Sequence, residues 1–464
     1  MSNDLKSTLK KSVKVSENIE KGYEGLYREY NVKSLDKEVY LIDGNDGGST
    51  GTRACLTDGI DEFADLYTKY VLPSTWGRII DNSELIPDSD KLIDNLDCTV
   101  TDITDLTIKP KEDRMFEKIR SIRGSKLDNS KIMPKKITST VQKIDDETFY
   151  LNIIENIVYG CVQKYEGKLP KNIVVYVGAA LPPGEQISRV NKETFTKRLK
   201  GTYSIFLTDY NVMTTVKIED TVTLTEPESF AYAYAIQKSE GEVEVTEVNQ
   251  KYLENKEVGD SVEGNVVNDQ QQDEDEEVYI PELALHIDVG GRSTGLALLV
   301  NGKSSKDRCR TLDFGGTQLA SALGDLLVDN YGGRKPSQEL LERALVTGKI
   351  KFSKIPSDVS REVREVKNTV AEAIFKGILD LIADYGKVKI ESLEQITMSG
   401  GTTRKGDYGY SIAEPLYVQV SKLVDDVTLE VVEDNFIPLG MLYKAYEEFG
   451  DDFEEHIEDT EDEE

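Results

Sequence analysis

Histidine and cysteine are scarce in this 464-residue chain, and their scarcity narrows its possible chemistry. The two histidines, His286 and His456, provide almost no material for a histidine-based metal site or catalytic triad. The four cysteines lie far apart and follow no metal-ligand spacing, which favours reduced structural thiols: Cys55, Cys98, Cys161 and Cys309. Reduced thiols are typical of the cytoplasm, where we expect this protein to act.

Long apolar runs and two common nucleotide-binding signatures are also missing. No segment approaches the roughly 18 uninterrupted apolar residues of a membrane span, so we expect no membrane partner. Residues 1–20 are polar and lack the apolar core of a signal peptide. No Gly-x-x-x-x-Gly-Lys-Ser/Thr run is present, which excludes a P-loop nucleotide hydrolase. No Gly-x-Gly-x-x-Gly segment opens a βαβ unit, so a Rossmann domain is unsupported.

Positive charge is in short supply. The chain has 56 Lys and Arg against 86 Asp and Glu, a formal net charge of −30. Direct binding to nucleic acid depends mainly on neutralising phosphates, so this charge argues against it. Much of the acid lies in an insert at 240–278 and a tail at 449–464, whose low hydrophobicity is typical of disorder. A specific docking role for these segments is the alternative.

Two Asp- and Gly-rich hairpins stand about half a chain apart. In each, a short apolar strand leads into a glycine turn and a second strand follows. The first hairpin has its strands at 39–42 and 52–57 around the turn Asp46-Gly47-Gly48-Ser49, and the second has its strands at 283–287 and 295–300 around the turn Asp288 to Thr294. The repetition predicts two similar lobes.

Strands alternate with helices over the rest of the chain. The β-branched and aromatic run at 173–177 is typical of a strand buried on both faces. Apolar residues at helical spacing predict helices at 145–164, 317–329 and 359–385, and a closing helix at 436–446. This alternation predicts an α/β fold with sheets covered on their faces.

The composition of the two turns indicates phosphate binding. Glycine lets backbone N–H groups approach a phosphate without obstruction by a Cβ atom. An aspartate in the same turn repels phosphate, so its expected role is to hold a divalent cation, often through water, that neutralises the phosphates. Either hairpin alone could be only a tight turn. The two hairpins, taken together with the glycine pairs Gly315-Gly316 and Gly400-Gly401, predict a cleft in which two loops bind one triphosphate.

The order of these elements resembles the actin, heat-shock ATPase and sugar kinase superfamily, and within it the bacterial plasmid-segregating actins of the ParM type. The resemblance covers roughly residues 40–446. Its motifs are the first phosphate loop at 46–53, a strand ending in Ala-Leu-Pro at 176–182, the second phosphate loop at 287–294, the adenosine loop at 397–402 and the start of the final helix at 438–441.

The resemblance implies a two-lobed actin-like fold of duplicated ribonuclease-H-like domains around a nucleotide cleft. We expect domain I at 39–225, with a small inserted subdomain at about 75–140 and closure by residues 430–448. Domain II is expected at 226–429, and residues 1–38 form a polar N-terminal extension.

The resemblance also implies roles for individual residues. The implied catalytic set is Asp46 and Asp288, which would hold Mg²⁺ through water, and Glu228, which would orient the hydrolytic water; Glu226 competes with Glu228. His286 shares a strand face with Asp288, and we interpret it as a packed core histidine. The implied nucleotide contacts are Gly47, Gly48, Ser49, Thr50, Arg53, Gly290, Gly291, Arg292, Ser293, Gly400, Gly401 and Thr402.

Three features depart from the family pattern. Arg53 stands where many relatives have Lys, which keeps the charge but brings a planar guanidinium. Gly295 occupies a position where an Asp often closes the second loop, so fewer carboxylates are available near the metal. The acidic insert before Leu283 has no counterpart in the compact members.

The function that the resemblance implies is that of a filament-forming ATPase. It would hydrolyse ATP, or alternatively GTP, with Mg²⁺, assemble with copies of itself, and segregate plasmid or other DNA cargo through a DNA-binding adaptor protein. One alternative is a non-polymerising ATPase, kinase or chaperone-like member of the superfamily. Another is a structural polymer with weak or no hydrolysis.

Overall fold

The computed structural model describes most of the chain in segments. These are residues 32–47, 51–59, 68–73, 76–79, 96–123, 127, 132–135, 142–182, 185, 189–239, 245–248, 281–291, 293–304, 306–352, 354–400, 403, 410–425, 427–432 and 436–461. The acidic insert predicted at 240–278 therefore lies outside them, apart from residues 245–248.

Sixteen strands are described. They are β1 (Lys33–Gly47), β2 (Gly51–Thr57), β3 (Thr68–Pro73), β4 (Trp76–Arg78), β5 (Asp97–Asp102), β6 (Lys118–Ile122), β7 (Pro134–Lys135), β8 (Lys168–Leu181), β9 (Gly201–Leu207), β10 (Val212–Thr225), β11 (Val245–Val248), β12 (Leu283–Val289), β13 (Thr294–Val300), β14 (Cys309–Leu312), β15 (Gln395–Ser399) and β16 (Thr428–Val432).

Eight α-helices accompany the strands in the same described segments. They are α1 (Glu147–Lys164), α2 (Arg189–Leu199), α3 (Glu226–Ser239), α4 (Gly316–Tyr331), α5 (Gln338–Thr347), α6 (Ser360–Tyr385), α7 (Ala413–Val420) and α8 (Ile437–Glu461). None of these helices is both long and apolar enough to span a membrane.

The chain divides into two compact units. Unit 1 comprises Met1–Ala233 and Phe436–Glu464, and unit 2 comprises Tyr234–Asn435. Each has its own sheet and its own buried core. The alternation of strands and helices confirms the predicted α/β fold class.

The sheet of unit 1 has the strand order β3-β2-β1-β8-β10-β9-β5-β6-β4-β7. Strand β1 forms an antiparallel hairpin with β2 and pairs in parallel with β8, which pairs in parallel with β10. The carboxyl ends of these three parallel strands therefore meet at one edge. Strands β4 to β7, from the region predicted as an inserted subdomain, continue the same sheet because β5 pairs with β9.

Helix α8 packs on the β1–β8 part of this sheet at very short range. A Cβ atom at Gly44 would overlap the backbone of Pro438 and Leu442, and one at Gly178 would overlap the carbonyl oxygen of Met441. The two glycines, which lie in neighbouring strands, therefore allow the backbone of α8 to approach the sheet this closely. The approach is possible only because these two residues lack side chains.

Helix α8 is longer than the sequence predicts. The acidic tail was expected from residue 449, yet the helix continues to Glu461. Apolar side chains explain the continuation: Phe453 is buried, and the ring of Phe449 stacks on Tyr176 at a centroid distance of 5.1 Å. A helical turn that places these rings on the sheet outweighs the local excess of acid.

The sheet of unit 2 repeats the central pattern of unit 1. Its order is β11-β16-β15-β12-β13-β14, with an antiparallel hairpin β12–β13 and parallel pairs β12–β15 and β15–β16. Strand β12 thus corresponds to β1, and β15 and β16 correspond to β8 and β10. In each unit, the strand that leads into the predicted glycine turn ends at the carboxyl edge of the parallel strands, where α/β proteins place ligands.

Candidate functional site

The register of unit 1 determines which side chains gather at the edge of its sheet. Asp46 in β1 lies opposite Ala180 in β8, and Leu224 in β10 lies opposite the same residue. Strand β10 ends at Thr225 and α3 begins at Glu226 without an intervening loop. The first glycine turn and the start of α3 are therefore neighbours although they are far apart in sequence.

Asp46 and Arg53 face each other across the first hairpin. They are partners in the β1–β2 register, and Arg53 Nη1 lies 3.5 Å from Asp46 Oδ2. Asp46 is buried, whereas the Arg53 side chain is about one-third exposed. The structure thus brings together one predicted metal carboxylate and one predicted phosphate-binding cation. Gly47 contacts α1, because a Cβ there would overlap the ring of Phe149. The predicted contacts Gly48, Ser49 and Thr50 lie outside the described residues.

A lysine that the sequence did not indicate lies at the centre of this edge. Lys143 Nζ lies 2.5 Å from Glu226 Oε1, and the two side chains are only 14% and 23% exposed. The carboxylate of Glu185 accepts from the backbone N–H groups of Lys143 (3.0 Å) and Ile144 (3.2 Å). Asp46 also acts electrostatically on both Lys143 and Glu226. These side chains with Arg53 form what we call the edge cluster: Asp46, Arg53, Lys143, Glu185 and Glu226.

Burial and charge act together on the pKa values in the edge cluster. Burial by itself lowers the pKa of Lys143, but the carboxylates of Glu226 and Asp46 outweigh it, so the pKa lies above its ordinary value and the ammonium is charged. Burial raises the pKa of Glu226, with Asp46 and Glu185 adding to the rise, and Lys143 offsets this only in part. Burial and the neighbouring carboxylates therefore disfavour the charged form of Glu226, and the ammonium group of Lys143 does not fully offset their effect.

The two competing glutamates have different surroundings. Glu228 accepts from the backbone N–H of Thr225 (3.3 Å) and from its hydroxyl (2.9 Å), while the Glu228 N–H donates to that hydroxyl (3.2 Å). This reciprocal arrangement is a capping box at the start of α3. Glu226, in contrast, points at Lys143 and feels the charge of Asp46. Glu228 therefore caps helix α3, and Glu226 is part of the edge cluster.

Buried asparagine side chains support the first hairpin through hydrogen bonds. Asn156 in α1 donates to Asn45 Oδ1 (3.3 Å) and to the carbonyl oxygen of Thr52 (3.4 Å), so it contacts both strands of the hairpin. Asn45 in turn donates to the carboxylate of Asp43. All four residues are fully buried. The sequence analysis missed Asn156, because nothing in a helical pattern marks one polar residue as the support of a distant turn.

The second hairpin, in unit 2, is braced by the start of helix α4. The N–H groups of Gly316 and Thr317 donate to the carbonyl oxygens of Gly290 (3.0 Å) and Gly291 (2.8 Å). Across the turn, the Gly290 N–H donates to the Ser293 carbonyl oxygen at 3.0 Å. The predicted turn thus forms, with its shape fixed from two sides. Arg292 lies outside the described residues.

Asp288 lies at the carboxyl edge of the second sheet, next to the end of β15. It pairs in register with Ser399, whose hydroxyl donates to Asp288 Oδ1 at 3.3 Å. Gly400 follows with a φ of +106°, and a Cβ there would overlap the Val289 carbonyl. Glycine is therefore required at position 400 by backbone geometry as well as by proximity to Asp288. Gly401 and Thr402 lie outside the described residues.

Gly295 pairs with Asp288 across the second hairpin. A Cβ atom at Gly295 would meet no heavy atom within 4 Å. Packing therefore does not impose glycine there, and the missing carboxylate is a feature of the sequence rather than a steric need.

Magnesium is the metal expected from the sequence resemblance. Within the described segments, no group of three or more His, Cys, Asp or Glu side chains is arranged to hold a metal. Mg²⁺ usually keeps several waters and takes one or two carboxylates together with substrate phosphates. Asp46 in unit 1 and Asp288 in unit 2, each considered within its own unit, are carboxylates of the type that such a hydrated ion accepts.

Comparison with known proteins identifies the fold. No protein-family model matches the chain, and no curated protein matches it by sequence. Among solved structures, an archaeal actin homolog, Ta0583, has a TM-score of 0.57 and 13% identity over 88% of this chain and 99% of its own. Bacillus thuringiensis ParM with ATP has a TM-score of 0.54 and 12% identity over 88% of this chain and 99% of its own. A non-polymerisable quadruple mutant of pCBH ParM has a TM-score of 0.52 and 14% identity over 90% of this chain and 100% of its own.

Proposed function

Because this chain has the actin-like fold, we propose that it is an ATPase that assembles into filaments. The observation that carries the proposal is the edge cluster, in which Asp46, Arg53, Lys143 and Glu226 lie beside a glycine hairpin. Taking charged side chains out of water costs stability, so a largely buried group of charges of both signs at the edge of a sheet is a candidate functional site. Binding and cleaving a triphosphate is a purpose that uses each of them.

In this proposal the glycine turn of each unit presents backbone N–H groups to the phosphates of ATP. We assign Arg53 and Lys143 to the neutralisation of phosphate charge in the first unit, and we assign to the waters of a magnesium ion one carboxylate from each unit, Asp46 from unit 1 and Asp288 from unit 2. When bound, that ion would supply further neutralisation of the β- and γ-phosphates. The predicted contacts of the adenosine loop, Gly400, Gly401 and Thr402, remain part of the proposal, with ATP as the substrate and GTP as the alternative.

Hydrolysis requires a water molecule positioned for attack on the γ-phosphorus. Attack breaks the bond to the bridging oxygen of ADP, and the water gives up a proton to a nearby base. We propose Glu226 for this base, because its raised pKa favours proton acceptance and its carboxylate lies in the edge cluster. A γ-phosphate would offer the Lys143 ammonium a second anionic partner and so release Glu226. The sequence motif favours Glu228 as the residue that orients the hydrolytic water, and Glu228 remains the competing assignment.

Two substitutions separate the glutamates. Glu226→Gln keeps the hydrogen-bonding shape but cannot accept the proton, so we expect phosphate release to fall about 100-fold or more. Glu228→Gln preserves the capping box, which accepts either Glu or Gln, and should change the rate by less than about threefold. Phosphate release by purified protein with ATP and Mg²⁺ measures both. The opposite pattern would assign the role to Glu228.

Self-assembly is proposed by analogy with ParM, of which one solved form is described as a non-polymerisable mutant. We further propose a cytoplasmic role in moving plasmid or other DNA cargo through a DNA-binding adaptor, since a net charge of −30 disfavours direct contact with DNA. No disulfide joins any two of the four cysteines, all of which lie in the described segments, and this agrees with a reducing compartment.

Light scattering recorded together with phosphate release tests assembly against the two alternatives. ATP-dependent scattering with release supports the proposal. Release without scattering would indicate a non-polymerising ATPase, kinase or chaperone-like protein, and scattering without release would indicate a structural polymer.

A further inference from the structure

A line of hydrogen-bonding side chains leads through the sheet of unit 2 to Asp288. His286 and Asp288 lie two residues apart in β12 and pair in register with Thr397 and Ser399 of β15. His286 Nδ1 lies 3.0 Å from Thr397 Oγ1, His286 Nε2 lies 3.4 Å from Ser399 Oγ, and Ser399 Oγ lies 3.3 Å from Asp288 Oδ1. His286, Thr397 and Ser399 are buried, so the sheet interior provides these contacts with little competition from water.

The chemistry of the groups sets the direction of this line. An ionised carboxylate can only accept, so the single Ser399 proton is donated to Asp288. The Ser399 oxygen must then accept from His286, which places the imidazole proton on Nε2. Nδ1 is left as an acceptor and takes the hydroxyl proton of Thr397. A neutral imidazole has the one donor and the one acceptor that this order needs.

This order restricts a hydroxyl that would otherwise rotate. A serine proton can turn to any nearby acceptor, but the Nε2–H of His286 occupies the Ser399 oxygen and leaves Asp288 as the acceptor for its proton. Gly400 leaves room for this carboxylate oxygen, since a Cβ at that position would lie 3.0 Å from Asp288 Oδ1. Together these contacts fix one carboxylate oxygen of Asp288.

We propose that His286 is a positioning residue, which acts through Ser399 to orient the Asp288 carboxylate for the hydrated Mg²⁺ of a bound nucleotide. The inference rests on the proposed function, because it requires Asp288 to face a metal-bound nucleotide. His286 is then more than the packed core histidine that the sequence suggested. His286 affects the Mg²⁺ concentration that nucleotide binding requires. It takes no part in the hydrolysis step itself.

The test measures the Mg²⁺ concentration that half-saturates ATP binding by the full-length chain, with equilibrium binding as the readout. His286→Leu and Ser399→Ala break the line, and we expect each to raise the half-saturating Mg²⁺ about 10-fold, as loss of a residue behind a metal ligand commonly does. His286→Gln offers an amide N–H near the position of Nε2, and Ser399→Thr keeps the hydroxyl. Both should stay within about twofold of the unsubstituted chain. ATP binding measured in a chelator should be the same in all five proteins.

The outcomes separate failure of the inference from failure of the proposed function. If the unsubstituted chain binds ATP without regard to Mg²⁺, the proposed function is wrong and the inference falls with it. If that chain depends on Mg²⁺ but His286→Leu and Ser399→Ala leave the dependence unchanged, only the inference is overturned. An effect of His286→Gln as large as that of His286→Leu would overturn the role of the Nε2 donor. Should His286→Leu fail to fold, His286→Asn takes its place, because its shorter amide does not reach the position of Nε2, whereas the Ser399 variants test the serine alone.

Discussion

Removing Lys143 tests the edge cluster directly. In Lys143→Met the Glu226 carboxylate loses its 2.5 Å partner while Asp46 and Glu185 still act on it. Breaking a fully buried ion pair costs about 3–5 kcal/mol. The two side chains are 14% and 23% exposed, so water compensates in part and we expect the free energy of unfolding to fall by roughly 2–3 kcal/mol.

The single tryptophan gives a local readout for this change. Trp76 is buried in unit 1, and its Nε1–H donates to Thr148 Oγ1 at 3.2 Å. Urea unfolding followed by Trp76 fluorescence therefore reports on the unit that contains Lys143. A matched control is Lys171→Met, whose ion pair with Asp36 is 64% and 91% exposed and should contribute less than about 0.5 kcal/mol.

The pH dependence of the deficit has a definite sign. A carboxyl group whose folded pKa is raised above the unfolded value stabilises the fold at low pH and loses that contribution as pH rises through the folded pKa. The pKa of Glu226 is raised already, and loss of Lys143 removes a contribution that lowers it. The deficit of Lys143→Met should therefore be largest near neutral pH. It should shrink as pH falls toward the ordinary Glu pKa of 4.5, and also as pH rises through the pKa of Lys143, which lies above its ordinary value of 10.5, because the unsubstituted chain then loses the ion pair as well.

A double-mutant cycle measures the interaction energy between Lys143 and Glu226 separately from their contacts with other residues. Adding Glu226→Gln to Lys143→Met removes the uncompensated charge, so the double variant should recover about 2 kcal/mol relative to the sum of the single effects. The reasoning is refuted if Lys143→Met shifts the unfolding free energy no more than Lys171→Met does, or if the two single effects simply add.

Two further predictions concern packing and a second buried pair. Gly178→Ala should cost about 2–3 kcal/mol because its Cβ overlaps the backbone of α8, whereas Gly295→Ala, with open space around the Cβ, should change stability by less than about 1 kcal/mol; thermal unfolding of both variants checks this, and equal effects would contradict it. Glu155→Gln should cost about 3–5 kcal/mol, because Arg123 and Glu155 are both completely buried with Nη2 and Oε2 2.5 Å apart. Urea unfolding followed by Trp76 fluorescence measures it, and a loss below 1 kcal/mol would show that the remaining partners of Arg123 compensate.

The fold and the two hairpins were predictable because their signals are local. A β-branched run, a glycine turn and a second apolar run follow one another within some twenty residues, and turn chemistry acts between near neighbours. The resemblance to the ParM-type actins rested on the same short motifs, and the structural likeness confirms it at the level of the fold. The length of α8 was not predictable in this way, because the burial of Phe453 depends on a sheet formed hundreds of residues earlier.

The sequence by itself determined the two Asp- and Gly-rich turns and the α/β pattern around them. The spacing of Thr225 and Glu228 is itself a local capping-box pattern. Only the tertiary structure decided that Lys143 meets Glu226, 83 positions along the chain. The physical reason is register. Parallel pairing of β1, β8 and β10 brings the ends of distant strands to one edge, and no local pattern in the chain records which side chains will meet there.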